Sequence, residues 1–332
     1  PMRSLALVAV LSQFGVDGVT RCSPQSTPAP EAPGVDVPVA EAPVQDALDR
    51  SVDYGDAGDY LFDELSEQRI ELATGRSVEV TLYEPRRSGP APLVVVSPGF
   101  QLNRNFYSSY AEHLASWGFV VATQTYSGRV SGLFNSNHAS IAEDTIALVD
   151  ALAAEPSLSV QVDRDAVALV GHSLGGKISI LAGVLDPSIA AVVGLDPVDA
   201  NTPSVTPELI PSIAAPLMLL GETLDSRGLF QACAPAENNF EQYFADAPEG
   251  TILLDILGAG HMQFHDEPRC LVCRACNGST SAAADDVLAM SRDAMTPFLL
   301  AKLQGFTGWD AYVAEGVLTE RWTESQVVQA IR

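Results

Sequence analysis

The segment 167–179, VALVGHSLGGKIS, limits what this chain can fold into more than any other stretch. An unbroken apolar run stops at a glycine-rich turn, and residues with helical spacing follow it. A fully apolar strand that leads directly into a helix is typical of a parallel sheet covered by helices. Residues 171–175 read Gly-His-Ser-Leu-Gly and fit Gly-x-Ser-x-Gly, which places a serine on a strained strand-to-helix turn. The segment therefore predicts that Ser173 is a nucleophile at the carboxyl end of a strand.

The same alternation of strand and helix patterns extends over most of the chain. Strands are predicted at RSVEVTLYEP, PLVVVSPGF, FVVATQTY, AVALVG, IAAVVGLDPV, APLMLLGETLD and GTILLDILGAGH, and helices at NRNFYSSYAEHLASWG, SIAEDTIALVDALAAE and GKISILAGVLD. This order predicts a single α/β domain with a mostly parallel central sheet and helices on both faces. Polar and glycine-rich breaks follow the strands at their carboxyl ends, where such sheets form their sites.

The charge of the chain excludes two classes of partner. The 18 basic and 42 acidic residues give a net charge of −24 at pH 7. A surface of this sign repels nucleic acid and anionic membranes, so we expect neither as a partner. The chain is 47% hydrophobic, which is enough to bury the core of one domain, and we expect a monomer.

Residues 1–22 predict export from the cytoplasm. The apolar run LALVAVLSQFGV follows Arg3 and is too short to span a bilayer, but it is long enough for the core of a signal peptide. The sequence VTRC ends at Cys22 and is similar to a lipoprotein attachment site, although Arg21 stands where a small residue is usual. We expect a secreted, periplasmic or cell-envelope protein, with lipid attachment as the less favoured alternative.

Composition and pattern divide the rest of the chain into a tether, a folded domain and a C-terminal extension. Residues 23–50 are rich in proline and lack aromatic residues, so they cannot bury enough surface to fold and predict an extended tether. Residues 51–305 hold the strand and helix patterns and are the predicted catalytic domain. Residues 306–332 are predicted to form a C-terminal helical extension.

His261 is the candidate general base for Ser173. A serine hydroxyl does not ionise near neutral pH and needs a base, for which histidine is the usual residue. His261 follows the strand ILLDILGAG on a glycine-rich turn downstream of the serine. His265 is a weaker candidate, and His138 either caps a helix or lines the cleft. His172 lies inside the turn, where its side chain must point away from Ser173.

Two aspartates compete to orient the base. Asp196 ends the strand AAVVGLD, and Asp225 ends the next strand, LMLLGETLD. Either carboxylate can bind the distal nitrogen of His261, hold its tautomer and stabilise the imidazolium. The commonest layout around a nucleophile turn places the acid after the later strand, so topology alone favours Asp225.

Two backbone amides are expected to bind the oxyanion that forms when Ser173 attacks a carbonyl. One belongs to Leu174, the residue after the serine, and the other to Phe100, in the loop that follows the strand LVVVSPGF. Apolar side chains are expected to line a substrate pocket nearby, although they fit equally well as packing under the loop. They are Phe100, Leu102, Phe106, Val198 and Met262.

Six segments between about residues 92 and 305 resemble chlorophyllases, which are serine esterases of the α/β-hydrolase fold. They are PGFQLNRNFYSSYAEHLASWGFVV, GHSLGGKIS, GLDPVDANTP, CAPAENNFEQYF, GHMQFHDE and CNG. In that family Ser, Asp and His form the catalytic triad, and the Asp lies in a Gly-hydrophobic-Asp-Pro-Val block that corresponds here to Asp196. The resemblance therefore implies Asp196 in place of Asp225, and an esterase without metal or organic cofactor.

Two departures from the plant enzymes bear on the substrate. Plant chlorophyllases have His-Gly-Phe where this chain has Ser-Pro-Gly-Phe at residues 97–100, and Arg where it has Leu174. Both features resemble bacterial cutinases and polyester hydrolases, which use the later aspartate. We expect a small-molecule or polymeric hydrophobic ester as substrate. Polyester, cutin or lipid hydrolysis and a non-catalytic binding module of the same fold are the alternatives.

The cysteines admit three interpretations. Cys270, Cys273 and Cys276 are spaced Cys-x-x-Cys-x-x-Cys, which can hold a metal ion if Cys233 supplies the fourth thiolate. An oxidising compartment favours disulfides instead, and free thiols are the third possibility. The resemblance places Cys233 and the late cysteines in matching family blocks, which implies a disulfide between Cys233 and this cluster.

Overall fold

The computed structural model describes residues 47–126, 137–200, 202–224, 233–268, 276, 280–322 and 326–332. Within these ranges the chain forms nine strands and six α-helices, all inside one compact unit, Val39–Arg332. In chain order they are β1 (Phe62–Glu71), β2 (Ser77–Pro85), β3 (Ala91–Ser97), α1 (Ser108–Ser116), β4 (Val120–Thr125), α2 (His138–Ala153), β5 (Val162–His172), α3 (Leu174–Leu185), β6 (Ala191–Leu195), β7 (Leu217–Glu222), α4 (Phe240–Asp246), β8 (Ile252–Ile256), α5 (Ala284–Leu303), α6 (Trp309–Ala314) and β9 (Val327–Ile331).

These strands form one sheet in the order β1-β2-β4-β3-β5-β6-β7-β8-β9. The run from β4 to β8 is parallel, whereas β1 and β2 at one edge and β9 at the other pair antiparallel with their neighbours. Parallel neighbours need long crossover connections, and helices provide them here. The predicted α/β class with a mostly parallel sheet is confirmed.

Helices cover both faces of the sheet, as predicted. In β3, Val94 and Val96 pack in one core cluster with α1, α5 and α6, whereas Leu93 and Val95 pack in a second cluster with α2, α3 and α4. A strand buried on both faces is apolar at every position, which explains the unbroken run in PLVVVS. The carboxyl ends of the parallel strands therefore open onto one edge of a rigid, doubly covered sheet.

The C-terminal segment 306–332, predicted to be helical, contains α6 and also a strand. β9 pairs antiparallel with β8, from Ile252 opposite Ile331 to Ile256 opposite Val327. The β-branched residues near its start favour an extended chain, and the edge of β8 supplies partners for its backbone. Residues 306–332 therefore complete the sheet as well as packing against it.

The end of the predicted tether belongs to the folded unit. Ala47 forms a β-bridge with Thr307, and the Leu48 N–H donates to the Thr307 carbonyl at 3.0 Å. The predicted export segment, residues 1–22, lies outside the described residues. None of the helices that the structure describes is long and apolar enough to cross a membrane.

Candidate active site

Ser173 occupies the single position between β5 and α3. Its backbone has φ 55° and ψ −118°, a combination that residues with a side chain rarely adopt. The flanking glycines allow the sharp turn. A methyl group added to Gly171 would lie 2.2 Å from the backbone of Gly175, and one added to Gly175 would lie 2.1 Å from the carbonyl oxygen of Ser97. No side chain fits at either position unless the backbone moves.

The side chains of Ser173, His261 and Asp196 form one hydrogen-bonded row. His261 Nε2 lies 2.9 Å from Ser173 Oγ, and His261 Nδ1 lies 2.6 Å from Asp196 Oδ2. A carboxylate oxygen only accepts, so Nδ1 donates to Asp196 and leaves Nε2 free to accept from the serine hydroxyl. This row can remove the proton of Ser173 as its oxygen attacks an electrophile.

Adjacent strand ends bring the members of the row together. Ser173 follows β5 and Asp196 follows β6, and β6 pairs over its whole length with the end of β5. The Ser173 N–H donates to the Leu195 carbonyl at 3.0 Å, and the Asp196 N–H donates to the Leu220 carbonyl at 2.7 Å. The sheet therefore fixes the backbones on both sides of the site. The alternative acid, Asp225, lies outside the described residues.

The two predicted oxyanion donors are the backbone amides of Leu174, which follows Ser173 directly, and of Phe100. Leu174 begins α3, so its N–H has no acceptor within the helix and forms part of the positive end of the helix dipole. Phe100 follows Gly99, and a methyl group added to Gly99 would lie only 3.4 Å from Ser173 Cβ. The backbone hydrogen bonds of the described chain include none donated by the Phe100 or Leu174 N–H.

The five predicted pocket residues are buried to different depths. Leu102 and Phe106 are partly buried against the core cluster of α1 and α5, whereas Phe100 packs against the cluster on the other face. Val198 and Met262 are buried, with 8% and 5% of their surfaces exposed. Phe100, Leu102 and Phe106 are therefore the members of this set that remain partly exposed.

The other histidines near the site are buried and held neutral. Burial, with repulsion from His261, lowers the pKa of His265 to about 4. His265 Nδ1 accepts from the Glu267 N–H at 3.2 Å, and its ring packs edge-on against Phe106. Burial, together with the charge of Lys177, lowers the pKa of His138 to about 4. His138 is the first residue of α2 and only 2% exposed.

A buried ion pair lies beside the site and was not anticipated. Lys177 Nζ in α3 lies 2.9 Å from Asp199 Oδ1, with side chains 0% and 1% exposed. Burial opposes ionisation of Asp199, but hydrogen bonds from Ser204 and Thr206 and the charge of Lys177 outweigh it and lower its pKa. The pair fastens the loop after Asp196 to the helix after Ser173. A lysine within the apolar helix GKISILAGVL is the sequence signal that indicates it.

Cys233 is paired with one member of the late cysteine cluster. A disulfide joins Cys233 to Cys276, which are 43 residues apart. Cys270 and Cys273 lie outside the described residues. Within the described part of the chain, no group of three or more His, Cys, Asp or Glu side chains is arranged to hold a metal ion.

Comparison with known proteins relates the chain to one family over most of its length. A family model described as Chlorophyllase matches residues 56–307. Chlorophyllase-1 of Arabidopsis thaliana is 26% identical over 205 residues, which cover 55% of this chain and 62% of that protein. Chlorophyllase-1, chloroplastic, of Citrus unshiu is 33% identical over 178 residues, covering 47% and 53%. Cutinase est1 of Thermobifida alba is 25% identical over 173 residues, covering 52% and 53%.

The match to each of these three relatives spans only 53% to 62% of the relative's own length. The family model, by contrast, covers every element from β1 to α5. It therefore includes the strand ends that carry Ser173, Asp196 and His261. The chain belongs to the chlorophyllase family.

Proposed function

We propose that this chain is a serine carboxylic-ester hydrolase that acts on hydrophobic esters through an acyl-enzyme. The observation that carries the proposal is the row from Ser173 Oγ through His261 to Asp196, with separations of 2.9 and 2.6 Å. Family membership supports it, as does likeness to Cutinase est1 and to a bis(hydroxyethyl) terephthalate hydrolase of Streptomyces coelicolor.

In the acylation step, Ser173 Oγ attacks the ester carbonyl carbon and its proton passes to His261 Nε2. Asp196 stabilises the imidazolium through the Nδ1 hydrogen bond. The amides of Phe100 and Leu174 bind the oxyanion of the tetrahedral intermediate. When the intermediate collapses, the bond to the alcohol oxygen breaks, and His261 gives its proton to the leaving alcohol.

Deacylation repeats these roles with water. His261 takes a proton from a water molecule, whose oxygen attacks the acyl carbon, and then returns the proton to Ser173 Oγ as the acid leaves. Each step moves only protons and electron pairs between the chain, the substrate and water. The proposal therefore includes no metal and no organic cofactor.

The proposed substrate class is an ester with apolar groups next to the carbonyl. Phe100, Leu102 and Phe106 are partly exposed apolar side chains in or next to the loop that carries one proposed oxyanion donor. They favour substrates that bury hydrocarbon or aromatic surface, whether small molecules or polymer segments. Chlorophyll-type phytyl esters, cutin or polyester chains and lipids all belong to this class.

A substrate panel and an active-site probe test the proposal together. Turnover should be measured with p-nitrophenyl esters of rising acyl length, with chlorophyll and with an aromatic polyester film. A fluorophosphonate probe, which reacts with activated serines, should label the wild-type protein. A non-catalytic binding module of the same fold would turn over none of these esters and stay unlabelled.

A further inference from the structure

A second row of hydrogen bonds connects the backbones around the proposed triad. The Gly99 N–H donates to Tyr107 Oη at 2.9 Å. Tyr107 Oη lies 2.9 Å from His172 Nδ1, and His172 Nε2 lies 2.9 Å from the carbonyl oxygen of His261. The row is sealed from water, since Tyr107 is 1% exposed and His172 is 0% exposed.

The two ends of this row determine where its protons lie. The carbonyl oxygen of His261 only accepts, so His172 Nε2 carries a proton and donates it. The Gly99 N–H only donates, so Tyr107 Oη accepts from it and keeps its own proton to give to His172 Nδ1. Burial and repulsion from His261 and His265 hold the pKa of His172 well below its ordinary value, which leaves Nδ1 free to accept. Every donor in the row therefore meets one acceptor.

The row reaches three parts of the proposed catalytic apparatus. At one end, Gly99 precedes Phe100, whose amide is a proposed oxyanion donor. In the middle, His172 precedes the proposed nucleophile Ser173. The far end holds the backbone of His261, the proposed base. The rings of His172 and His261 are 4.8 Å apart between centroids, so a neutral His172 adds no positive charge beside the imidazolium.

We propose that Tyr107 and His172 are positioning residues. They fix the loop of Gly99 and Phe100, and the backbone of His261, relative to Ser173. This inference rests on the proposed function and names the residues that preorganise the same site. Donors stabilise an oxyanion most when they are aligned before the reaction, and a misplacement of about 1 Å can cost about a hundredfold in rate. The row should therefore affect the transition state more than substrate binding.

The first test removes one hydroxyl group. Tyr107→Phe keeps the ring but deletes the link between Gly99 and His172. We expect kcat on p-nitrophenyl butyrate to fall about tenfold to a hundredfold while KM stays within about twofold. The matched control is Tyr110→Phe, which deletes a hydroxyl from a 0% exposed tyrosine in α1 and should leave both constants at wild-type values. Unchanged kcat in Tyr107→Phe, or equal losses in both variants, overturns the proposal.

The second test asks whether the two residues act as a unit. His172→Asn keeps an acceptor near Tyr107 but has no donor that reaches the His261 carbonyl. Because both variants break the same row, the double variant Tyr107→Phe/His172→Asn should lose no more activity than the worse single variant. Losses that multiply would show independent effects and overturn the proposal.

A third measurement does not depend on how the variants fold. In ¹⁵N-histidine NMR of the wild-type protein, the His172 ring should show a protonated Nε2 and a bare Nδ1 throughout the neutral pH range. A proton on Nδ1, or a charged ring, contradicts the proposed row.

Ser173→Ala separates failure of this inference from failure of the proposed function. If Ser173→Ala retains wild-type turnover, the proposed function is wrong whatever Tyr107→Phe does. If Ser173→Ala is inactive and Tyr107→Phe has normal kcat, the hydrolase stands and only the positioning role is rejected.

Discussion

Asp196 and His261 form a buried hydrogen-bonded pair in which Oδ2 and Nδ1 are 2.6 Å apart and the side chains are 0% and 4% exposed. Two features of this pair suit proton transfer. A hydrogen bond to a carboxylate is stronger than one between neutral groups, and burial shields it from competing water. The pair therefore holds the imidazole with Nε2 towards Ser173.

Replacing Asp196 tests the choice between the two candidate acids. Asp196→Asn keeps the shape of the side chain but removes the charge that, in the proposed mechanism, stabilises the imidazolium. We expect kcat to fall by about three to four orders of magnitude. Asp225→Asn is the matched control and should retain wild-type turnover of p-nitrophenyl butyrate. A large loss in Asp225→Asn with an active Asp196→Asn would assign the acid to Asp225.

Breaking the buried ion pair should destabilise the fold. Lys177→Met keeps the length of the side chain but leaves the Asp199 carboxylate buried without its cation. We expect the free energy of unfolding, measured by urea denaturation, to fall by about 3–5 kcal/mol.

An exposed ion pair provides the control for Lys177→Met. Arg69 and Glu71 form a pair whose side chains are 67% and 74% exposed. Arg69→Gln should lower the free energy of unfolding by less than about 1 kcal/mol. Similar losses in the two variants would show that burial adds nothing to the Lys177 pair.

The stability of the fold should depend on pH through Asp255. Burial, with repulsion from Glu241, raises the pKa of this carboxyl from 3.8 to about 6, and its buried Oδ1 has no hydrogen-bond partner in the described structure. The folded chain thus holds the proton more tightly than the unfolded chain, so protonation favours folding. This stabilisation is fully present below about pH 3.8 and is lost as pH rises through about 6.

The measurement for Asp255 compares unfolding curves at several pH values. Asp255→Asn cannot ionise, so relative to wild type its free energy of unfolding should rise between pH 4 and pH 8, by about 1–2 kcal/mol because water partly screens this half-buried carboxyl. Glu249→Gln changes an exposed residue and should follow the wild-type curve. A constant difference between Asp255→Asn and wild type across this range would contradict the account.

The parallel core was predictable from the sequence because its strands are built around short apolar runs that are buried on both faces. α5 gives no such signal. Its buried positions include Ser291, Asp293 and Thr296, and Pro297 lies inside the helix. β9 is short, and its pairing with β8 depends on a partner more than seventy residues earlier in the chain, which local pattern does not reveal.

Local sequence likewise predicts some residues of the candidate site, whereas others depend on contacts between distant parts of the chain. Ser173 and His261 stand in turns whose glycines and flanking strands mark them locally. Asp196 and Asp225 look alike in local sequence, and the resemblance to a family favoured Asp196. Tyr107 and His172 are 65 residues apart, so their hydrogen bond follows from the order of strands in the sheet and not from a motif.

The most direct test of the central claim is to locate the reactive serine and remove it. The wild-type protein, treated with a fluorophosphonate probe and digested, should give one modified peptide with the adduct on Ser173. Ser173→Ala should melt like the wild type, take up no probe and lose at least about a thousandfold in turnover of p-nitrophenyl butyrate. Wild-type turnover in folded Ser173→Ala, or an adduct on another residue, would contradict the account.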